Sequence, residues 1–156
     1  MNKVLLKPAK ETADQTQKKA LFQTVCKSHG KFHKLIIDSE STDNLVATEM
    51  VEKFSLKQLK HPTPYKVLWL QKGHHLLVDE QCEVEFHIGR YKDNVVCDIM
   101  PMNVCHILLG RPWQYDRKVA HDGKTNSYNF VKDGIKHTLV PIKEEEAAET
   151  SGTKCY

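Results

Sequence analysis

LIIDSESTDN, residues 35–44, runs three apolar residues into an aspartate and follows it with serine, glutamate and serine. An acid at the end of a buried strand costs free energy unless it is hydrogen-bonded or chemically employed. The same composition also suits a plain strand-to-turn exit, because Asp, Ser, Thr and Asn side chains bond nearby backbone groups. The surrounding sequence has to separate the two readings.

Upstream, TVCKSHGKFHKLII (residues 24–37) has two β-prone arms around Ser28-His29-Gly30, the pattern of a hairpin whose second arm delivers Asp38. Downstream, Val46, Met50 and Phe54 recur every four residues in LVATEMVEKF, which predicts one short helix with Asp43 as its N-cap. Pro62 and Pro64 break the chain, YKVLWL follows as a strand, and QKGHH supplies a turn at Gly73. Cys82, Val84, Phe86 and Ile88 then alternate with Glu83, Glu85 and His87, a strand with one wet face. VVCDIMP is a further strand ended by Pro101, and Asp133-Gly134 sits between β-prone arms as a two-residue hairpin turn. The sum is mainly β, about seven or eight short strands with one or two short helices and no βαβ alternation. A small closed barrel or a sandwich is expected.

Composition limits the function classes. The chain has 156 residues, enough for one compact domain with flexible ends. Its five cysteines, Cys26, Cys82, Cys97, Cys105 and Cys155, are odd in number and widely spread. With no apolar N-terminal run, this favours a reduced, intracellular and cytoplasmic setting over secretion. No stretch approaches the roughly 20 apolar residues of a membrane span, so no membrane role is expected. Residues 1–35 carry eight lysines against Glu11 and Asp14, a local charge of +6 against +3 for the whole chain. That front has no aromatic interleaving to stack on bases, so specific nucleic-acid binding is not expected. Residues 1–20 read as a basic, polar, flexible leader, residues 21–141 as the folded domain, and residues 142–156, with their run of acids, as a disordered tail.

A second stretch changes the weight of the first. CHILLGRPW, residues 105–113, is an apolar run ending in a glycine, after which Arg-Pro-Trp opens a short helix with Pro112 in its first turn. An apolar run into Asp-Ser, followed about seventy residues later by Ile-Leu-Leu-Gly-Arg, resembles the two signature elements of retropepsins, the aspartic proteases of retroviruses and long-terminal-repeat retrotransposons. HPTPYKVLWLQKG, the block from Cys97 to Gly134 and TVCKSHGK resemble the protease segment of plant gypsy-type retrotransposon polyproteins, and the likeness covers residues 21–141.

That resemblance implies a small closed barrel of the retropepsin type, acting as a homodimer on extended polypeptide, with no cofactor. It makes Asp38 of each chain half of a catalytic pair and gives Ser39 the role of locking the two loops together across the dimer. Glu40 and Ser41 complete the active-site loop. Ile107, Leu108, Leu109 and Gly110 pack beneath it, and Gln71, Lys72, Gly73 and His74 form the candidate flap. The sequence departs from its relatives at Glu40, where the family has glycine. Glycine there tolerates backbone conformations that side chains resist, whereas glutamate adds bulk and charge near the dimer axis. The departure implies an alternative, a catalytically impaired relic or an adopted module that binds peptides or partners through the same groove.

Two other chemistries were weighed. Cys26, His29 and His33 have ligand-like spacing, with Cys105-His106 or His74-His75 as further donors, but no paired Cys-x-x-Cys accompanies them and no metal is expected. A Cys-His nucleophile pair would need a geometry that no motif specifies.

Overall fold

The computed structural model describes residues 2–5, 21–69 and 73–142. Eleven strands and two short helices follow one another along these residues. The order is β1 (Asn2–Leu5), β2 (Phe22–Ser28), β3 (Lys31–Ile37), β4 (Leu45–Ala47), α1 (Thr48–Lys53), β5 (Leu59–Trp69), β6 (His74–Ile88), β7 (Tyr91–Met100), β8 (Ile107–Leu109), α2 (Arg111–Asp116), β9 (Ala120–Asp122), β10 (Ser127–Lys132) and β11 (Ile135–Leu139).

Six strands close into a ring, β6-β2-β3-β8-β4-β7, because β7 also pairs with β6. Strand β5 lies along the free side of β6, and β1, inside the segment expected as a leader, runs parallel to β5 from Asn2 opposite Lys66 to Leu5 opposite Trp69. A second sheet, β11-β10-β9, packs Tyr128, Phe130 and Leu139 into the same core as the ring. Among the described residues no helix is long and apolar enough to cross a membrane.

The alternation read in the sequence sets the walls of the ring. Cys82, Val84 and Phe86 of β6 are buried while Glu83 and Glu85 face water, and β7 repeats the pattern opposite. Strands β3 and β8 are different, since neither alternates. Leu35, Ile37, Ile107 and Leu109 enter one apolar cluster with Phe22, Val84 and Trp113, whereas Ile36 and Leu108 enter a second with Leu45, Tyr65 and Val78. A strand covered on both faces needs an unbroken apolar run, which is what LII and ILL supply. Each such side chain is worth about 2 kcal/mol of transfer free energy on burial.

Both anticipated hairpins form. Ser28 pairs with Lys31 around His29-Gly30, and Lys132 with Ile135 around Asp133-Gly134, with positive φ at both central residues of each turn, the geometry that matches the twist of the flanking strands.

Two local expectations are corrected. The helix starts at Thr48, its N-cap is Ala47 without a side-chain cap, and Asp43 does not cap it. Leu45–Ala47 instead bond to β7 and β8, so sheet pairing outweighs helical periodicity, although Val46, Met50 and Phe54 do line one core cluster. Pro62 and Pro64 do not break the chain either. They lie inside β5 where its register against β6 shifts between Lys60 and Tyr65, an irregularity that tolerates a residue with no N–H to give.

Candidate active site

Asp38 stands at the exit of β3, half-buried, where the two apolar runs meet. Strand β8 pairs in parallel with β3, Ile37 opposite Leu109, and antiparallel with β4, Leu45 opposite Leu108. The chain therefore leaves β3 at Asp38, makes the loop 38–44, and returns as β4 on the far side of β8. The Asp38 amide donates to the Leu109 carbonyl at 3.0 Å, extending the β3–β8 ladder to the acid itself. The sequence reading thus places Asp38 next to its proposed support, and the structure brings Asp38, Ser39, Glu40, Ser41 and the Ile107–Gly110 run together.

Hydrogen bonds to the backbone hold the loop. The Glu40 amide donates to Asp38 Oδ1 at 2.9 Å, and the Ser41 amide to the Asp38 carbonyl at 3.1 Å. Ser41 Oγ donates to the Asp43 carbonyl at 2.7 Å. Gly110 is wedged into this loop, and a Cβ on it would lie 2.3 Å from the Asp43 carbonyl oxygen and 2.8 Å from that of Ser41. No side chain fits there. The Arg111 amide donates to the Ser41 carbonyl at 2.9 Å and its Nε to the Ser39 carbonyl at 3.1 Å.

Glu40 is exposed, and its φ is not in the left-handed region. The backbone objection to a side chain at this position therefore does not arise within one protomer. Its amide serves Asp38, which any residue except proline can do.

Two residues that the sequence reading missed shape the site. Asn44 is buried, and its Oδ1 accepts the amides of Gly110 at 2.8 Å and of Trp113 at 3.3 Å, so one side chain fastens the loop to the glycine corner and to α2. Its own carbonyl accepts the Asp98 amide at 2.8 Å. Tyr128 lies in the core below, packed edge-on against Phe22, and its hydroxyl is pushed up in pKa by burial and then by the negative charge of Asp38. The terminal Asn of LIIDSESTDN was the visible signal for the first; nothing local signals the second.

The candidate flap is the tip of the β5–β6 hairpin. Trp69 pairs with His74, and Gly73 has φ of 68° in the turn; Gln71 and Lys72 lie outside the described residues. The hairpin's stem is tied to the wall behind the loop by buried Asp98 of β7. Asp98 accepts from the Tyr65 hydroxyl and from Gln81 Nε2 at 3.0 Å, and faces His61 Nε2 at 3.1 Å. Burial first and the Asp98 hydrogen bond second raise the pKa of the Tyr65 hydroxyl, which stays a donor.

The cysteines and histidines weighed for metal do not assemble. Among the described residues no group of three or more His, Cys, Asp or Glu is arranged to hold a metal ion. Cys26, Cys82, Cys97 and Cys105 are buried and in no disulfide, and burial pushes the Cys26 thiol up to about 12 and that of Cys82 to about 11, far from a reactive thiolate. His33 Nε2 meets the Ser28 carbonyl at 3.1 Å, and its ring stands edge-on to His106 at 5.0 Å.

No protein-family model matches the chain, and no curated protein matches its sequence. Among solved structures, the crystal structure of the retroviral protease-like domain of Ddi1 from Leishmania major is similar, with a TM-score of 0.56 at 10% identity, over 81% of this chain and 94% of that one. The ring of strands, the loop after β3 and the strand threaded beside it are those of a mainly β, retropepsin-like barrel.

Proposed function

We propose that this chain is a retropepsin-like aspartic endopeptidase that works as a homodimer on extended polypeptide, derived from the polyprotein of a plant gypsy-type long-terminal-repeat retrotransposon. The observation that carries the reading is the placement of Asp38: at a strand exit, amide-bonded to Leu109, with the Glu40 amide on its carboxylate. One protomer presents one such acid. Two protomers meeting at this loop would bring two carboxylates together, and like charges at close range leave one of them protonated. The ionised Asp38 takes a proton from water as the water oxygen attacks the scissile carbonyl, while the protonated Asp38 of the other chain gives its proton to the carbonyl oxygen. Collapse of the tetrahedral diol returns a proton to the departing amine and regenerates the shared-proton pair. Ser39, exposed beside the acid, is the residue placed to bond across the dimer, and the β5–β6 tip closes over the substrate.

Residues 21–141 are the unit that carries the activity, and β1 (Asn2–Leu5) adds a strand beside β5. Four buried cysteines outside any disulfide suit a reducing, cytoplasmic setting.

Glu40 supports a second reading, a binding module with the same groove. A pair of exposed glutamates beside the acids would raise the proton affinity of the pair and oppose closure of the two loops.

The deciding experiment is cleavage of a peptide library at mildly acidic pH by the full chain, by Asp38→Asn and by Glu40→Gly, with sedimentation of each. Cleavage lost in Asp38→Asn establishes the protease. Cleavage by Glu40→Gly alone makes the natural chain a silenced relative, and a strict monomer without cleavage in all three overturns the enzymatic reading.

A further inference from the structure

A concavity lies at the end of the barrel away from Asp38. The β2–β3 turn at His29-Gly30 forms one lip, and β3 then runs eight residues to Asp38, about 25 Å at strand rise. The cleft, about 500 Å³, is lined from β2, β6, β7, β10 and the residue after α2. Three lysines line it from strands far apart in the chain: Lys27 of β2, Lys92 of β7 and Lys132 of β10.

Part of the cleft's charge is internally settled. Arg117 bonds the Asp93 carboxylate through Nε and Nη2. Burial would raise the Asp93 carboxyl, but the bonds from Arg117, Tyr91 and the Asn94 amide outweigh it and hold it below the ordinary carboxylate range. That pairing uses two of the five guanidinium N–H donors and fixes the plane of the rest, the fork that suits phosphate oxygens. With Asp93 and Arg117 cancelling, the three lysines face Glu85 alone, an excess of two positive charges in one cleft. Lys132 also reaches Asp133 at 2.9 Å, but that carboxylate is largely exposed and holds it weakly. Lys27 passes 5.6 Å from the Phe32 ring.

Gathering like charges costs folding free energy, and an anion bound among them would offset that cost. We propose that this cleft binds a small, multiply phosphorylated ligand. Its volume suits a molecule of nucleotide or inositol-phosphate size. A nucleic-acid strand fits less well, because, of the rings lining the cleft, Phe86 is 1% exposed and His29 is already stacked on Phe54.

The test is titration calorimetry of the full chain with inorganic tripolyphosphate, ATP and inositol hexakisphosphate as separate probes. Saturable binding of tripolyphosphate is expected, weakening as salt rises. The triple variant Lys27→Gln/Lys92→Gln/Lys132→Gln is expected to bind more than about tenfold less tightly, since each lost charge-assisted bond matters. The variant Lys57→Gln/Lys60→Gln/Lys66→Gln removes the same charge at exposed positions away from the cleft and is expected to bind like the parent, as is Asp38→Asn. Tighter binding of ATP or of the inositol phosphate than of tripolyphosphate tells which scaffold carries the phosphates. No saturable binding, equal weakening in both triple variants, or preferential capture of a single-stranded oligonucleotide overturns the proposal.

Discussion

Gly110 donates its amide to Asn44 Oδ1 at 2.8 Å, and this bond, with that from the Asp38 amide to the Leu109 carbonyl, joins the loop that carries Asp38 to the strand that threads beneath it. Nearly everything that shapes the candidate site passes through this corner.

Gly110→Ala is the sharpest structural test. Its Cβ would meet two backbone carbonyls, at 2.3 and 2.8 Å, and neither can swing aside as a side-chain end could. The loop must open, at a cost of about 3 kcal/mol. Urea unfolding measures it, and a loss under about 1 kcal/mol would show that the corner is not tight.

Asn44→Ala strips a partner from two buried amides, those of Gly110 and Trp113. Each unsatisfied donor costs about 1–3 kcal/mol, so the expected loss is about 3 kcal/mol together with faster hydrogen exchange at those amides. Unchanged exchange at Gly110 would mean that water replaces the side chain.

Glu40→Gly is expected to leave folding stability within about 1 kcal/mol of the parent. The position is exposed, lies outside the left-handed region, and contributes an amide that glycine also has. A larger change in the unfolding midpoint would mean that the Glu40 side chain holds the loop, and a gain in cleavage could then no longer be assigned to charge alone.

His33 makes stability depend on acid. Burial, and then the neighbouring His106, Lys53 and His29, pull its pKa from 6.5 to about 4 against the opposing Ser28 carbonyl bond. The folded state holds it neutral while the unfolded chain takes up the proton first. The contribution is full above pH 6.5 and lost as pH falls toward 4, by at most about 3 kcal/mol. His106 is lowered too, chiefly by burial, and adds in the same direction. Urea midpoints across this window should fall less steeply in His33→Phe than in the parent; equal slopes would remove His33 as the cause.

Arg117→Met leaves Asp93 buried without its cation. Breaking a buried pair from one side costs about 3–5 kcal/mol, and thermal unfolding should show a large drop that Asp93→Asn/Arg117→Met recovers in part. No recovery would mean that Arg117 acts through packing of its stem.

The legible part of the fold was what depends on neighbours in sequence. Strict alternation from Cys82 to Ile88 and the Asp133-Gly134 turn each specify their own backbone. LII and ILL were legible as a pair because two-sided burial leaves a run without polar breaks. Strand β4 was not, since Leu45–Ala47 are extended only because β7 and β8 flank them, and the same residues carry helical spacing. Asn44 looked like one more turn residue, and its task depends on Gly110, sixty-six residues away. Tyr128 had no local mark, being placed near Asp38 by the packing of a second sheet.

Strand β8 inserted between β3 and β4 also sets an order of events during synthesis. Leu35 meets its partner Ile107 only after seventy-two more residues have been made, and closing so long a loop is slow compared with forming the β2–β3 or β6–β7 hairpins. A ribosome-bound chain ending before Ile107 would already contain LIIDSESTDN and yet lack the strand that gives it shape. The acid at position 38 is therefore silent until β8 has been made, and any proteolytic competence it has arises only when nearly all of the barrel has emerged.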